Sequence, residues 1–92
     1  MEVLHSKESL QQKILRYREA NKAIGFVPTM GALHEGHLSL IECSNRQNEV
    51  TVVSVFVNPT QFNRRDDYEQ YPRDLTGDLR QLEEAGCDLA FT

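Results

Sequence analysis

The strongest constraint on the fold is the run of residues 50–57, which reads VTVVSVFV and is closed by Asn58-Pro59. β-branched residues occupy both sets of alternating positions in this run. Apolar residues on both faces are typical of a central strand in a parallel sheet, because such a strand is covered on both sides. The sequence therefore predicts a parallel sheet with residues 50–57 in its interior.

Helical and strand patterns alternate along the rest of the chain. Helical spacing predicts one helix from Ser6 to about residue 21, a second after residue 36, and a third that Asp74 caps and Gly86 ends. Short apolar runs predict a buried strand at 23–27, stopped by Pro28, and shorter strands at 3–4 and 89–91. The residues expected to face inward are Leu10, Ile14, Tyr17, Leu38, Leu40, Ile41, Leu75, Leu79 and Leu82.

The order β-α-β-α-β-α-β predicts an α/β fold, a Rossmann-like parallel sheet with flanking helices. The chain stops at Thr92, directly after a predicted strand, and no helix follows to cover that strand. A parallel sheet needs cover on both faces. We therefore expect residues 1–92 to be the first part of a longer nucleotide-binding domain, incomplete as it stands.

Composition narrows the class of function. A chain of 92 residues with a net charge of −4 lacks the basic surface that a general nucleic-acid binder needs. No apolar run approaches the ~20 residues of a membrane span. Two cysteines, Cys43 and Cys87, are too few for a disulfide framework, which favours a reduced, cytoplasmic compartment. We expect small-molecule partners, with neither nucleic acid nor membrane.

The loop at residues 28–37, PTMGALHEGH, carries the clearest chemical signal. His34 and His37 share one face of a first helical turn. Gly36 between them lacks a side chain, so a ligand could lie against the backbone there. A helix start offers free N–H groups and partial positive charge, so imidazole donors beside it suit phosphoryl oxygens. The alternatives are two solvated histidines or half of a zinc site, which would need further ligands. The loop has neither a Walker A nor a GxGxxG pattern.

Polar residues after the next strand are weaker candidates. A loop glutamine such as Gln61 is usually only solvated, but it follows the central strand and lies beside the histidine loop in a parallel sheet. Asp74 and Asp78 are candidate Mg²⁺ contacts, although acids on a helix surface are normally solvated. We expect Arg64, Arg65 and Arg73 to pair with neighbouring acids, and Tyr68 and Tyr71 to pack the long connection.

Two strings extend these observations to a family. His34-Glu35-Gly36-His37 resembles the HxGH signature of the nucleotidyltransferase superfamily. The longer string VPTMGALHEGHL at 27–38, and VFVNPTQF at 55–62 followed by Tyr71-Pro72-Arg73, resemble the pantothenate synthetase (pantoate–β-alanine ligase) family. The resemblance covers the whole chain and corresponds to the opening, N-terminal portion of that family's nucleotide-binding domain.

The resemblance implies an ATP-dependent condensation of pantoate with β-alanine to pantothenate. A pantoyl adenylate is the intermediate, AMP and pyrophosphate are released, and Mg²⁺ accompanies ATP. His34 and His37 are the implied catalytic residues, with His37 as proton donor. Pantoate is expected at Met30, Asn58 and Gln61, β-alanine at Gln61, and Phe62 near the methyl groups of pantoate. The implied ATP-binding residues are Met30, Gly31, Ala32, Leu33, His34, Glu35, Gly36 and His37.

The resemblance also implies limits. The family carries a later phosphate-binding lysine, and no lysine follows Lys22 here. We therefore expect these 92 residues to hold half an active site and to be inactive alone, while the longer enzyme is a homodimer. Two alternatives stay open: another adenylyl-transferring HxGH enzyme, and a non-catalytic nucleotide-binding module.

Overall fold

The computed structural model describes residues 1–71 and 73–92. The described residues form four strands and four α-helices in the order β1 (Glu2–Leu4), α1 (Lys7–Glu19), β2 (Ile24–Thr29), α2 (Glu35–Gln47), β3 (Val50–Val55), α3 (Arg65–Gln70), α4 (Leu75–Glu84) and β4 (Leu89–Phe91). A short 3-10 turn at Pro59–Gln61 follows β3. None of these helices is long and apolar enough to cross a membrane.

The four strands form one parallel sheet in the order β1-β4-β3-β2. β3 lies in the interior, and Val52 and Val53 are fully buried on its two faces, which confirms the central strand. On one face, Val53 packs in a core with Ile41 of α2 and Leu82 of α4. On the other face, Val52 packs in a core that Leu10 of α1 completes. The predicted Rossmann-like α/β fold is thus confirmed.

β2 differs from its prediction. It continues through Pro28 to Thr29 and lies at the edge of the sheet, paired with β3 alone among the described strands. A proline is tolerated there because an edge strand need not donate every N–H to a neighbour. The strand is also buried only in part, since Phe26 is 57% exposed. The expectation of a wholly buried strand that ends before Pro28 is therefore wrong.

The helix caps are confirmed, but two inward-facing residues are not. Ser6 and Asp74 accept hydrogen bonds from the Ser9 and Gly77 amides, and Gly86 ends α4 with φ of +86°. Leu40, however, lies next to Ile41 and so points about 100° away from it around α2, which leaves Leu40 exposed. Leu75 is the first residue of α4, before the helix reaches the core, and it is also exposed.

Candidate functional site

The two candidate loops meet at one edge of the sheet. β2 and β3 pair in register to their ends, with Thr29 opposite Val55, so the chain leaves both strands at the same level. Between the loops is a cavity of about 410 Å³. Its lining residues are Pro28, Thr29, Met30, His37, Ser54, Phe56, Asn58 and Gln61. The structure therefore brings together four residues that the sequence singled out, Met30, His37, Asn58 and Gln61.

The two histidines are linked to the backbone and to each other at the start of α2. The Gly36 amide donates to His34 Nδ1 at 3.0 Å, and the His34 amide donates to His37 Nδ1 at 3.2 Å. Their ring centroids are 4.1 Å apart. A nitrogen that accepts a hydrogen bond holds no proton, so each neutral ring carries its proton on Nε2. Both histidines thus keep one N–H donor that the protein's own backbone does not use.

The environment favours the neutral form of His37. Partial burial lowers the pKa of His37 below its ordinary value of 6.5, and the nearby charge of His34 lowers it further, while Asp78 acts in the opposite direction. A neutral imidazole can donate from Nε2 without the cost of burying a charge. At neutral pH the pair is therefore equipped to donate two hydrogen bonds to an anion at the helix start.

The other residues of the histidine loop have distinct places. Leu33 is buried in the core, whereas His34, Glu35 and Gly36 are exposed at the start of α2. Gly36 was expected to leave room for a ligand. A Cβ there would instead meet the His34 ring, 2.8 Å from Cε1, so the glycine makes room for the histidine itself.

The backbone before α2 is strained. Gly31 has φ of +80° and Ala32 has φ of +51°, so two consecutive residues lie in the left-handed region. For a residue with a Cβ this conformation costs roughly 1–2 kcal/mol. The Thr29 hydroxyl donates to the Ser54 carbonyl at 2.9 Å and accepts from the Gly31 amide at 3.2 Å, which ties this turn to β3.

Asp78 of α4 holds the same turn from the other side. Its Oδ2 accepts from the Ala32 amide and its Oδ1 from the Leu33 amide, both at 3.1 Å. The side chain is buried, so the interpretation of Asp78 as a solvated helix-surface acid is wrong. The available signal was its position: residue 78 lies four before Leu82, on the inward face of α4.

The loop after β3 is built from short-range contacts. Asn58 Oδ1 accepts from the Thr60 amide at 2.9 Å and starts the 3-10 turn that places Gln61 on the rim of the cavity. Phe62 is not among the described residues that line the cavity. It packs edge-on against Tyr68 and Tyr71 instead, at 5.6 and 5.5 Å between ring centroids.

The arginines near this loop are mostly engaged. Arg64 pairs with Asp66 and Arg65 with Glu69, as expected. Arg73 was also expected to pair with an acid. Its guanidinium instead donates to backbone carbonyls at the end of α3, including that of Tyr68 at 2.7 Å, and lies over the Tyr68 ring. Pro72 lies outside the described residues, so the Tyr71-Pro72-Arg73 motif is described only in part.

The described residues contain no dense cluster of metal-ligating side chains. Within 1–71 and 73–92, no group of three or more histidine, cysteine, aspartate or glutamate side chains is placed to hold a metal ion. Both oxygens of Asp78 accept hydrogen bonds from backbone amides.

These features define a class: a Rossmann-like parallel α/β domain with an HxGH loop at the carboxyl edge of its sheet. Residues 2–92 match the pantoate-beta-alanine ligase family, and the chain belongs to that family. A pantothenate synthetase of Bacillus velezensis is 52% identical over 92 residues, which are all of this chain and 32% of that protein.

Solved structures agree. A pantothenate synthetase from Thermus thermophilus has a TM-score of 0.79 at 46% identity, over 99% of this chain and 31% of that one. A pantoate-beta-alanine ligase from Francisella tularensis, complexed with beta-gamma ATP and beta-alanine, has a TM-score of 0.85 at 42% identity, over 99% of this chain and 34% of that one. This chain thus spans about a third of the length of these relatives.

Proposed function

We propose that residues 1–92 form part of the nucleotide-binding domain of an ATP-dependent, AMP-forming pantoate–β-alanine ligase. The observation that carries the proposal is the cavity of about 410 Å³, because it joins His37 of one loop to Asn58 and Gln61 of the other. Family membership supports the same reaction. The Francisella relative, which is complexed with an ATP compound and β-alanine, supports these two as substrates.

The proposed reaction has two steps. A carboxylate oxygen of pantoate attacks the α-phosphorus of ATP, the bond between that phosphorus and the bridging oxygen breaks, and pyrophosphate leaves. The amine of β-alanine then attacks the acyl carbon of the pantoyl adenylate, the bond to the AMP oxygen breaks, and the amine loses a proton. Catalysis of the first step needs donors where charge develops on the departing pyrophosphate.

The histidine loop supplies those donors. Residues 30–37 are proposed as the ATP-binding loop. His34 and His37 each have an Nε2–H free of backbone contacts, and the start of α2 adds partial positive charge. Both rings are proposed to donate hydrogen bonds to phosphate oxygens. The bound triphosphate is proposed to stabilise the protonated form of His37, which then acts as the proton donor to the leaving group. Mg²⁺ is proposed to arrive bound to ATP, as part of the substrate.

The second loop supplies the acid-binding side. The Asn58 side-chain oxygen already accepts from Thr60, so its amide nitrogen is the group left for pantoate. Gln61 is proposed to bind the pantoate carboxylate and hydroxyl groups and to lie beside β-alanine. Met30 and Phe56 give the cavity an apolar wall for the methyl groups of pantoate.

The charge of the cavity limits what this chain can catalyse. The described cavity has no lysine or arginine in its lining, and the sequence has no lysine after Lys22. Neutral donors bind a triphosphate, but they neutralise little of the charge of a departing pyrophosphate. We therefore propose that this chain binds substrates without turnover. For the longer enzyme we propose a cytoplasmic homodimer that acts on small molecules, without nucleic acid or membrane.

The test is an amide NMR titration of the chain with Mg·ATP and then with pantoate. ATP should shift residues 30–37 and pantoate residues 58–62, while lactate, a different hydroxy acid, should leave 58–62 in place. The double variant H34A/H37A should weaken ATP binding at least about tenfold, since each lost hydrogen bond to a charged group is worth about that factor. The control Q47A, an exposed residue at the opposite end of α2 from the histidines, should bind as the unsubstituted chain does.

No shifts in a well-dispersed spectrum would contradict substrate binding by this chain. Shifts with ATP that are equal for pantoate and lactate would favour a different HxGH adenylyl transferase. A pyrophosphate-exchange assay on the chain should give no signal, and a measurable exchange rate would overturn the proposal that it lacks turnover.

A further inference from the structure

We propose that Asp78 is a positioning residue of the nucleotide site: its carboxylate, presented by α4, presets the turn that carries the histidine loop before a nucleotide arrives. The inference rests on the proposed function, since it concerns the same site. It adds a residue outside the HxGH string and outside the loops that line the proposed substrate cavity.

Burial of the Asp78 carboxylate is unfavourable, and hydrogen bonds from the backbone compensate for it. Its side chain is 4% exposed, and within residues 1–71 and 73–92 no lysine, arginine or histidine forms an ion pair with it. A buried, unpaired carboxylate is expensive unless hydrogen bonds satisfy its oxygens. The two oxygens accept from the consecutive amides of Ala32 and Leu33. Successive amides around one anion form a nest, and here the chain supplies the anion itself.

The place of this nest links it to the site. Ala32 is in the left-handed region at φ of +51° and is followed by Leu33, buried in the core, and then by His34, the cap of α2. The nest therefore fixes the direction in which the chain enters the histidine pair. The nucleotide's phosphates are left to the histidines and the helix start, because Asp78 already occupies the Ala32 and Leu33 amides.

The same turn is the wall between two cavities. Met30 lines both the cavity of about 410 Å³ and a second one of about 330 Å³. Gly31 and Asp78 line only the second. A shift of the turn would change the shape of the proposed substrate cavity even though Asp78 does not reach into it.

The most informative substitution is D78N. The amide side chain has nearly the same shape, but only one of its two terminal atoms accepts a hydrogen bond. D78N therefore loses one of the two hydrogen bonds to the backbone. It also places the NH₂ group of the side chain against a backbone N–H, and two donors repel each other. The matched control is D88N: the Asp88 carboxylate also accepts from a backbone amide, that of Thr51 at 2.8 Å, but on the approach to the opposite, amino end of the sheet.

The experiment compares the chain, D78N and D88N by amide hydrogen exchange and by titration with Mg·ATP, under conditions where all three are folded. In D78N the amides of Ala32 and Leu33 should exchange at least about tenfold faster and ATP should bind at least about tenfold more weakly, the factor expected for one hydrogen bond to a charged group. D88N should stay within about twofold in both readouts.

The outcomes separate this inference from the proposed function. If the unsubstituted chain does not bind ATP, the proposed function fails first. If it binds ATP and D78N binds equally well, only the positioning role is overturned. If D78N does not fold, exchange in the unsubstituted chain decides: protection of both amides at least about tenfold beyond the intrinsic rate is required, and intrinsic rates would refute the role.

Discussion

The two loops at the carboxyl edge of the sheet follow neighbouring strands, yet they are held in different ways. The turn after β2 is fixed by contacts from distant parts of the chain: Asp78 lies 46 residues after Ala32, and the Ser54 carbonyl lies 25 residues after Thr29. The described hydrogen bonds within residues 58–71 and 73 join groups at most five residues apart. The first loop is built into the fold, and the second is a module that supports itself.

The difference fits the proposed division of labour. Donors for a triphosphate must be in place before charge develops, so a rigid histidine loop has a catalytic advantage. A loop that must admit a small acid and then an amine can open more easily, because few of its contacts belong to the global core. The following substitutions test whether the two loops are indeed separate in stability and in binding.

The largest expected effect is at Gly31. Its φ of +80° suits glycine, and a Cβ would lie 2.9 Å from Asp78 Oδ2. We expect G31A to lower the free energy of unfolding by about 2 kcal/mol or more, from left-handed strain and the displaced carboxylate. Urea denaturation measures this, and the Mg·ATP titration should show weaker binding.

The matched control is G86A, at the other end of the molecule. Gly86 has φ of +86°, and a Cβ there would meet only the end of the Asn45 side chain, at 3.1 Å. It should lose about 1–2 kcal/mol from the same backbone strain and keep its affinity for ATP. Equal losses of ATP affinity in G31A and G86A would mean that global stability, not the turn, governs binding.

Thr29 comes next. T29V keeps the shape of the side chain but removes the hydroxyl that bonds both the Ser54 carbonyl and the Gly31 amide. We expect a loss of about 1–2 kcal/mol and faster exchange of the Gly31 amide. T51V is the control, since the Thr51 hydroxyl bonds Ser44 and Asn45 far from the site. A similar loss of stability in T51V, with unchanged exchange at Gly31, would show that the turn depends on its own contacts.

Several features of the fold and of the site could be predicted from the sequence. The interior position of β3, the alternation of the four strands with α1, α2 and α4, and the caps at Ser6, Asp74 and Gly86 follow from periodicity and local chemistry, and all are confirmed. The short helix α3 is additional to the predicted order. The meeting of Met30 and His37 with Asn58 and Gln61 follows from parallel topology alone, since parallel strands end at a common edge.

Two of the misses, at Asp78 and Phe26, share one physical cause, which is dependence on packing between distant elements. Asp78 has an ordinary helical context, and its role exists only because α4 lies against the turn after β2. Phe26 has a strand pattern, but its exposure depends on which elements pack against β2. Local spacing shows that residue 78 faces inward, but it does not show which element either side chain will meet.

Phe62 tests the second loop. F62A removes two edge-to-face contacts, with Tyr68 and Tyr71, each worth about 0.5–1.5 kcal/mol. Because these rings are part of a local module, we expect faster amide exchange across residues 59–71 but a loss of less than about 1 kcal/mol in global stability. Pantoate binding should weaken while ATP binding stays constant. Faster exchange at Ala32 as well would contradict the independence of the two loops.

The smallest expected effect is a pH dependence carried by His37. Its pKa lies below 6.5 in the folded chain because of partial burial and the charge of His34, and it returns to the ordinary value on unfolding. Between the two values the unfolded chain binds more protons. The contribution to stability is therefore complete above pH 6.5 and is lost as the pH falls through the folded pKa. Urea midpoints at several pH values, compared with those of H37Q, isolate this contribution.

The His37 ring also reports on the bound nucleotide, because its pKa responds to the charge of the phosphates. A triphosphate beside His37 stabilises its protonated form, so saturation with Mg·ATP should raise the midpoint of the His37 ring resonances in an NMR titration. Pantoate alone, held mainly by Asn58 and Gln61 in the second loop, should move this midpoint less, because it carries a single negative charge. If ATP shifts the amides of 30–37 but leaves the His37 pKa unchanged, the phosphates do not lie at this ring. The role of proton donor would then have to be withdrawn from His37, even though the loop binds the nucleotide.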